Sequence, residues 1–299
     1  MTGLHQLTRR NLRLFFKDKG LFITSLITPL ILLVLYATFL ANVYKNSFLS
    51  SLPQNFPVDG KIIDATVGGQ LISSLLAVSC VTVAFCSNML MIGDKATGTI
   101  RDLTVTPLKR STLAISYYTA SALSTLIVTF AALAICLGYL STQGWYLSAA
   151  DVFCVILDVL LLTLFGISLS SCLHFFLSTN GQASAVGTIV SAGYGFVCGA
   201  YMPISSFSEG LQKVLSFLPG TYGTALIKNH MLRGVFAEMK NTGFPQEAID
   251  SMRKAIDCDL SFFGHNVSQF AMYVILIGAV LAFTGLFVGF HLLTKKKAK

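Results

Sequence analysis

ATVGGQLISSLLAVSCVTVAFCSNMLMIG, residues 65–93, carries no charged side chain, and DKATGTIRDLTVTPLKR, residues 94–110, follows it with six. A second charge-free run then extends over residues 111–150. A transmembrane helix needs about 20 mostly apolar residues. Each run is therefore long enough to cross a bilayer, and the stretch between them is a polar hairpin outside it. Span, hairpin, span is the reading that sets the fold class.

Working outward, the whole chain has the same character. Of its 299 residues 54% are hydrophobic and only 11% charged, with a mean hydropathy of +0.71. Soluble domains carry about 25% charged residues, and disorder needs low hydrophobicity with high charge. Most soluble enzyme classes and disorder are thereby excluded, leaving one polytopic membrane domain. The fold class expected is all-α with six transmembrane helices, at residues 21–41, 66–92, 113–140, 152–177, 183–201 and 267–293. The first lacks the short core and small-residue cleavage site of a signal peptide. Six of the seven cysteines lie in apolar tracts, and none shows paired spacing, so they read as small buried apolar side chains.

Charge placement orients the spans. With the N-terminus cytoplasmic, the inner segments hold Arg9, Arg10, Arg13, Lys17 and Lys19, then Lys95, Arg101, Lys109 and Arg110, then Lys295, Lys296, Lys297 and Lys299. These are thirteen of the 21 basic residues. The short outer loops hold only Lys45 and Lys61, and the other six lie in one long segment where the positive-inside rule loses force. Both termini are thus expected in the cytoplasm. The net charge of +8 records topology rather than nucleic-acid binding.

Residues 1–20 precede the first span. Leu4, Leu7, Leu14 and Phe15 share one helical face, with Arg9, Arg10, Arg13 and Lys17 supplying charge. This is the pattern of an amphipathic interfacial helix beside anionic lipid, or of a topogenic flank alone. In the hairpin, 94–110, Gly98 breaks the preceding helix, Thr99 caps a new one and Pro107 ends it, predicting about two turns of helix. Gly93 and Gly98 have P-loop spacing, but Thr99 and Ile100 stand where that motif needs Lys and Ser/Thr. The chain is read as having no nucleotide site and as not being an enzyme.

Residues 202–265 form an outer segment. Leu211, Val214, Leu215 and Leu218 have amphipathic-helix spacing, and Pro219-Gly220 is expected to break that helix. Residues 224–232 are apolar enough to dip into the membrane, and 246–257 read as a solvated helix. Re-entrant helices at membrane depth must be buried in protein or line a cavity, so a structured lid is expected.

Asp158 is the only formal charge well inside a span, and such a residue is a functional candidate by default. A proton or substrate role and a paired structural role both stay open. His174, near the inner end of that span, is read as interfacial. No partner at ligand spacing accompanies it, so no metal site is expected.

Together these features resemble the membrane subunit of an ABC type-2 exporter. The local likeness lies in Asp94, Gly98, Thr99, Ile100, Thr106 and Pro107, similar to the family's acidic residue, Gly-Thr, hydrophobic residue and Ser/Thr-Pro pair. The family more often has Glu at the first position and an acidic residue where this chain has Arg101. Gly199-Ala-Tyr-Met-Pro203 and Leu218-Pro219-Gly220-Thr221 are similar to the family's fifth-span exit and outer helices.

The resemblance implies that 94–110 is a coupling hairpin seated on a separate ATP-binding subunit, with ATP and Mg bound there and no cofactor in this chain. It implies a second permease subunit, a homodimer partner or paralogue, in a lipid bilayer, and a path between the second and fifth spans near Phe85, Asn88, Met89, Phe196, Tyr201 and Met202. Gly195-x-x-x-Gly199 and Gly285-x-x-x-Gly289 allow close helix approach, at a dimer seam or within one subunit. The expected substrate is hydrophobic or amphipathic (a drug, antibiotic, lipid-like or glycan-lipid compound), moved outward across a bacterial plasma membrane. Two alternatives are an ion-coupled secondary transporter using Asp158 and an ABC-type sensing complex that does not export.

Overall fold

A computed structural model describes residues 2–35, 38–39, 41–42, 45–46, 59–106 and 109–293. Pro107, the last part of the first expected span and the lysines at 295–299 lie outside the described residues. The helices are α1 (Thr2–Lys17), α2 (Lys19–Leu35), α3 (Gly60–Ala96), α4 (Thr99–Val105), α5 (Arg110–Gln143), α6 (Ala149–Phe175) and α7 (Asn180–Val197). After a short 3-10 turn at Ile204–Ser206 come α8 (Glu209–Leu215), α9 (Pro219–Asn241), α10 (Gln246–Ala255), a two-stranded antiparallel hairpin and α11 (Gln269–Leu293). The strands, β1 (Ser261–Phe262) and β2 (His265–Asn266), are a small addition to an otherwise all-α architecture.

Among the described residues, four helices are long and apolar enough to cross a membrane: α3, α5, α6 and α11. The pair α1 and α2, bent by 71° between them, makes a fifth if taken as one span. The fifth expected span is not among these. It forms α7, whose 18 residues begin Asn-Gly-Gln and carry Gly, Ser and Thr along their length, so its helicity exceeds its hydropathy.

Local signals start the helices where the chemistry requires it. Asp59 accepts from the Lys61 N–H at the start of α3. Ser148 with Asp151, and Thr179 with Gln182, form capping boxes for α6 and α7, satisfying backbone donors that a helix leaves unpaired. The centre is α3, 37 residues and about 55 Å long at 1.5 Å per residue. It contacts α2, α5, α6, α7 and α9, and Leu76, Val81, Cys80 and Phe85 are buried along it. Hydroxyls knit the interior: Ser87 with Thr125 at 2.8 Å and Thr129 with Thr163 at 3.4 Å. On α1, Leu7 and Phe15 are buried, and the helix docks on α5. Much of the apolar face expected to meet lipid is therefore spent on protein.

The outer segment departs from expectation. Pro219-Gly220 does not end an element; Pro219 is the first residue of α9, where a missing N–H costs nothing. Helix α9 is no peripheral lid, because it contacts α3, α6 and α11 and is buried from Gly220 to Leu232. Of the amphipathic stripe, only Leu215 is buried, while Leu211 and Val214 are exposed. Gly195 and Gly199 face Tyr201, Ile204 and Asp257 of the same chain, whereas no atom lies within 4 Å of a Cβ added at Gly285 or Gly289.

Close approach is tightest at Gly234, where an added Cβ would stand 1.9 Å from the Tyr146 carbonyl oxygen. Neither backbone can yield without displacing the loop or α9. Gly234→Ala is expected to destabilise the protein by about 1–3 kcal/mol, the usual cost of overpacking. Thermal unfolding in detergent measures it, and an unchanged midpoint contradicts the packing described.

Candidate functional site

Because α3 is longer than the roughly 30 Å hydrocarbon layer, its end carries Asp94 and Lys95 to the hairpin. Both side chains are committed. Arg10 of α1 donates from Nη1 and Nη2 to the two Asp94 oxygens at 2.8 and 3.4 Å, and the Tyr117 hydroxyl of α5 donates to the same carboxylate at 2.5 Å. Asp94 is buried and ties three helices together. Lys95 donates to the carbonyls of His174, Phe175 and Leu177 at 3.0, 2.9 and 3.0 Å. An ammonium at a helix C-terminus satisfies carbonyls left unpaired there and meets the negative end of the dipole. Charged groups at the end of α3 thus fix the hairpin to α1, α5 and α6.

Between these anchors and α5 lies α4. Its N-cap is Gly98 with φ 82°, a left-handed conformation in which the chain leaves α3 and re-enters a helix at once. Thr99 was expected to cap α4, but it is the first helical residue, and its hydroxyl pairs with that of Thr97 at 2.9 Å. Glycine supplies the required backbone angle, which a threonine at 98 would not. None of α4's seven residues is buried. Ile100 and Leu103 rest partly buried on a cluster of Leu7, Met91, Ile92, Leu113 and Tyr117. Arg101, Asp102, Thr104, Val105 and Thr106 are exposed, Val105 by 87%. Val105 thus stands exposed near the end of a short helix whose preceding residues, Asp94 and Lys95, are anchored to other helices.

The residues expected along a path divide into two groups. Phe85 and Asn88 are buried within the subunit. The Asn88 amide donates to Ser171 at 3.1 Å and also to Ser170, both on α6. Phe85 lies against the His174 ring, with centroids 5.5 Å apart. His174 is accordingly a core residue and not an interfacial one: its exposure is 0%, and Nδ1 sits 2.8 Å from the Ser170 carbonyl. Met89 is partly buried, Tyr201 likewise, and Phe196 and Met202 are exposed by 50% and 38%. Phe196 and Tyr201 meet edge to face at 5.2 Å. Only this second group reaches the surface.

At the end away from the hairpin, Asp158 of α6 is fully buried and paired. His230 Nδ1 of α9 lies 2.6 Å from one carboxylate oxygen, and the Tyr273 hydroxyl of α11 donates to the other at 2.5 Å. Arg233 on α9 adds an ion pair to Asp151 of α6 at 3.2 Å. A second knot holds the α7 exit: buried Lys228 donates to the carbonyls of Gly199 and Ile256 at 2.6 and 2.9 Å. Beside it Asp257 accepts from the backbone N–H groups of Ile204 and Ser205. Burial pushes the Asp257 carboxyl above its ordinary value, offset in part by the Lys228 ammonium and those two N–H groups.

Sequence reading did not single out Arg10, Lys95, Tyr117, His230 or Tyr273 as site residues. The basic ones were legible only as topogenic charge, since their partners lie far away in the chain. A family model described as ABC-2 type transporter matches residues 2–232, from α1 into α9. No curated protein matches the chain.

Proposed function

The chain belongs to the ABC-2 type transporter family, and from that membership we propose that it is the permease half of an ATP-driven exporter. The family is a membrane translocation component rather than a catalytic domain, and it implies an ATP-binding cassette partner. The observation that carries the proposal is α4: seven residues with no buried side chain, on a base anchored by Asp94 and Lys95. In this reading Ile100, Arg101 and Thr106, with Val105, meet the ATP-binding subunit, which holds ATP and Mg. Gly98 and Thr99 shape the turn, Pro107 ends the segment, and Asp94 is a positioning residue that transmits movement of the hairpin to α1 and α5.

The six spans are α2, α3, α5, α6, α7 and α11, with α7 stabilised by contact with α3 and a second permease subunit. Both termini lie in the cytoplasm of a bacterial cell whose plasma membrane holds the protein, and α8 and α9 form the re-entrant element. Met89, Phe196, Tyr201 and Met202 offer an apolar, adaptable lining suited to a hydrophobic or amphipathic substrate. Phe85 and Asn88 support that wall from behind. The ion-coupled alternative is not favoured by the family, and Asp158, with both oxygens engaged, serves as a clamp.

Purified alone, the chain is expected to hydrolyse no ATP. Co-expressed with an ATP-binding cassette subunit, it should co-purify and support hydrolysis. ATP hydrolysis by the isolated chain would sink the assignment.

A further inference from the structure

At the end of the molecule away from the hairpin, α8, α10 and the β1–β2 hairpin border a half-open cavity of about 740 Å³. Its lining is about equally polar and apolar: Glu209, Lys213, Lys254 and Asp259 supply charge, with Tyr222 and Phe263 as aromatic walls. Asp259 is neutralised by Arg253 at 2.7 Å, and Asp257, also on the lining, is engaged with backbone donors. The side chains of Lys213, Lys254 and Glu209 make no hydrogen bond or ion pair among the described residues, which leaves two ammonium groups and one carboxylate facing the space. The rim has the opposite character. Phe217, Phe262 and Phe263 form an aromatic cluster with centroids 4.8 to 5.9 Å apart. Phe217 and Val214 are exposed by 64% and 62%.

The hairpin tip has positive φ at both loop residues, 49° at Phe263 and 85° at Gly264. Two-residue hairpins of this kind favour Asn or Asp at the first position. A phenylalanine there is held against its backbone preference, with its ring 53% exposed. The hairpin stands just before α11, one of the helices apolar enough to span, and aromatic side chains beside a span favour a membrane interface.

We propose that this cavity binds the phosphate–amine head of a membrane phospholipid, with the phosphate on Lys213 and Lys254, the ammonium on Glu209, and the acyl chains leaving past the Phe217–Phe263 rim. Charge complementarity selects the head, and the contiguous aromatic rim selects an amphiphile over a free phosphate. The site rests on the export reading only for its placement at the outer leaflet.

The test uses the full chain in detergent micelles supplied with phosphatidylethanolamine or phosphatidylglycerol, with retained lipid read by native mass spectrometry. Lys213→Gln with Lys254→Gln should lower retention of both lipids about tenfold, the scale of a lost charge-assisted contact. Glu209→Gln should lower only phosphatidylethanolamine. Lys240→Gln, exposed and off this cavity, should change neither. All four side chains are exposed, so unchanged thermal midpoints are expected. Wild-type retention in the double lysine variant overturns the site, and equal binding of soluble glycerol phosphate overturns its assignment to a lipid. Neither outcome bears on ATPase coupling, which the co-purification experiment decides separately.

Discussion

Replacing residues 99–105 with a Gly/Ser linker of equal length should leave the bundle folded while reducing ATP-driven transport more than about tenfold. Two quantities set that expectation. No residue of α4 is buried, so its removal forfeits only the partial burial of Ile100 and Leu103, a small share of the apolar area that stabilises the fold. The anchors below it are untouched, because Asp94 and Lys95 precede the replaced segment. If α4 is the seat of the ATP-binding subunit, its exposed side chains include the central anchors of that interface, and loss of one such anchor costs about 2 kcal/mol or more. The pairing measurement is ATPase activity of the complex with transport assayed in the same vesicles. Val105→Asp should show the same direction with a smaller effect. Full transport with the linker in place removes α4 from the mechanism, while loss of the folded bundle contradicts the burial described.

Asp158→Ala should be among the most destabilising single substitutions in the protein, by about 3–5 kcal/mol. The carboxylate is completely buried and both oxygens are used, by His230 and Tyr273. Removing it leaves two buried polar groups without their partner, each costing about 1–3 kcal/mol, and opens a small cavity. Asp158→Asn keeps one acceptor and should cost less. A double-mutant cycle with His230→Ala measures the pair itself, and coupling of about 2 kcal/mol is expected for residues in direct contact. A cycle that closes to zero means that the contact contributes nothing to stability. Transport by Asp158→Asn that persists when the proton gradient is collapsed separates a clamp from an ion-coupling residue.

The hairpin was legible because it is written locally. Gly98 and Ile100 sit within a few positions of one another, and a polar segment between two charge-free runs has no alternative but to leave the bilayer. Its rigidity was not legible. Arg10 reaches Asp94 across 84 positions and Lys95 reaches the end of α6 across about 80, so the same residues read in sequence only as positive flank. The surroundings of Asn88 and Phe85 were not legible either, because the face they occupy meets α6, whose Ser170 and Ser171 take up the Asn88 amide.

Helix α9 marks the boundary most clearly. Lys228, Asn229 and His230 lie within the stretch read as apolar enough to dip into the membrane, and all three are buried in protein. Each is satisfied from elsewhere in the chain: Lys228 by Gly199 and Ile256, Asn229 by Cys258, His230 by Asp158. The sequence alone established a membrane protein, its long apolar helices and the polar hairpin between two of them, since hydropathy is a sum over about 20 consecutive residues. Tertiary structure alone decided which polar groups are interior and what holds the hairpin and α9 in place. A buried polar group is tolerated only when a specific partner meets it, and here those partners stand up to 115 positions away.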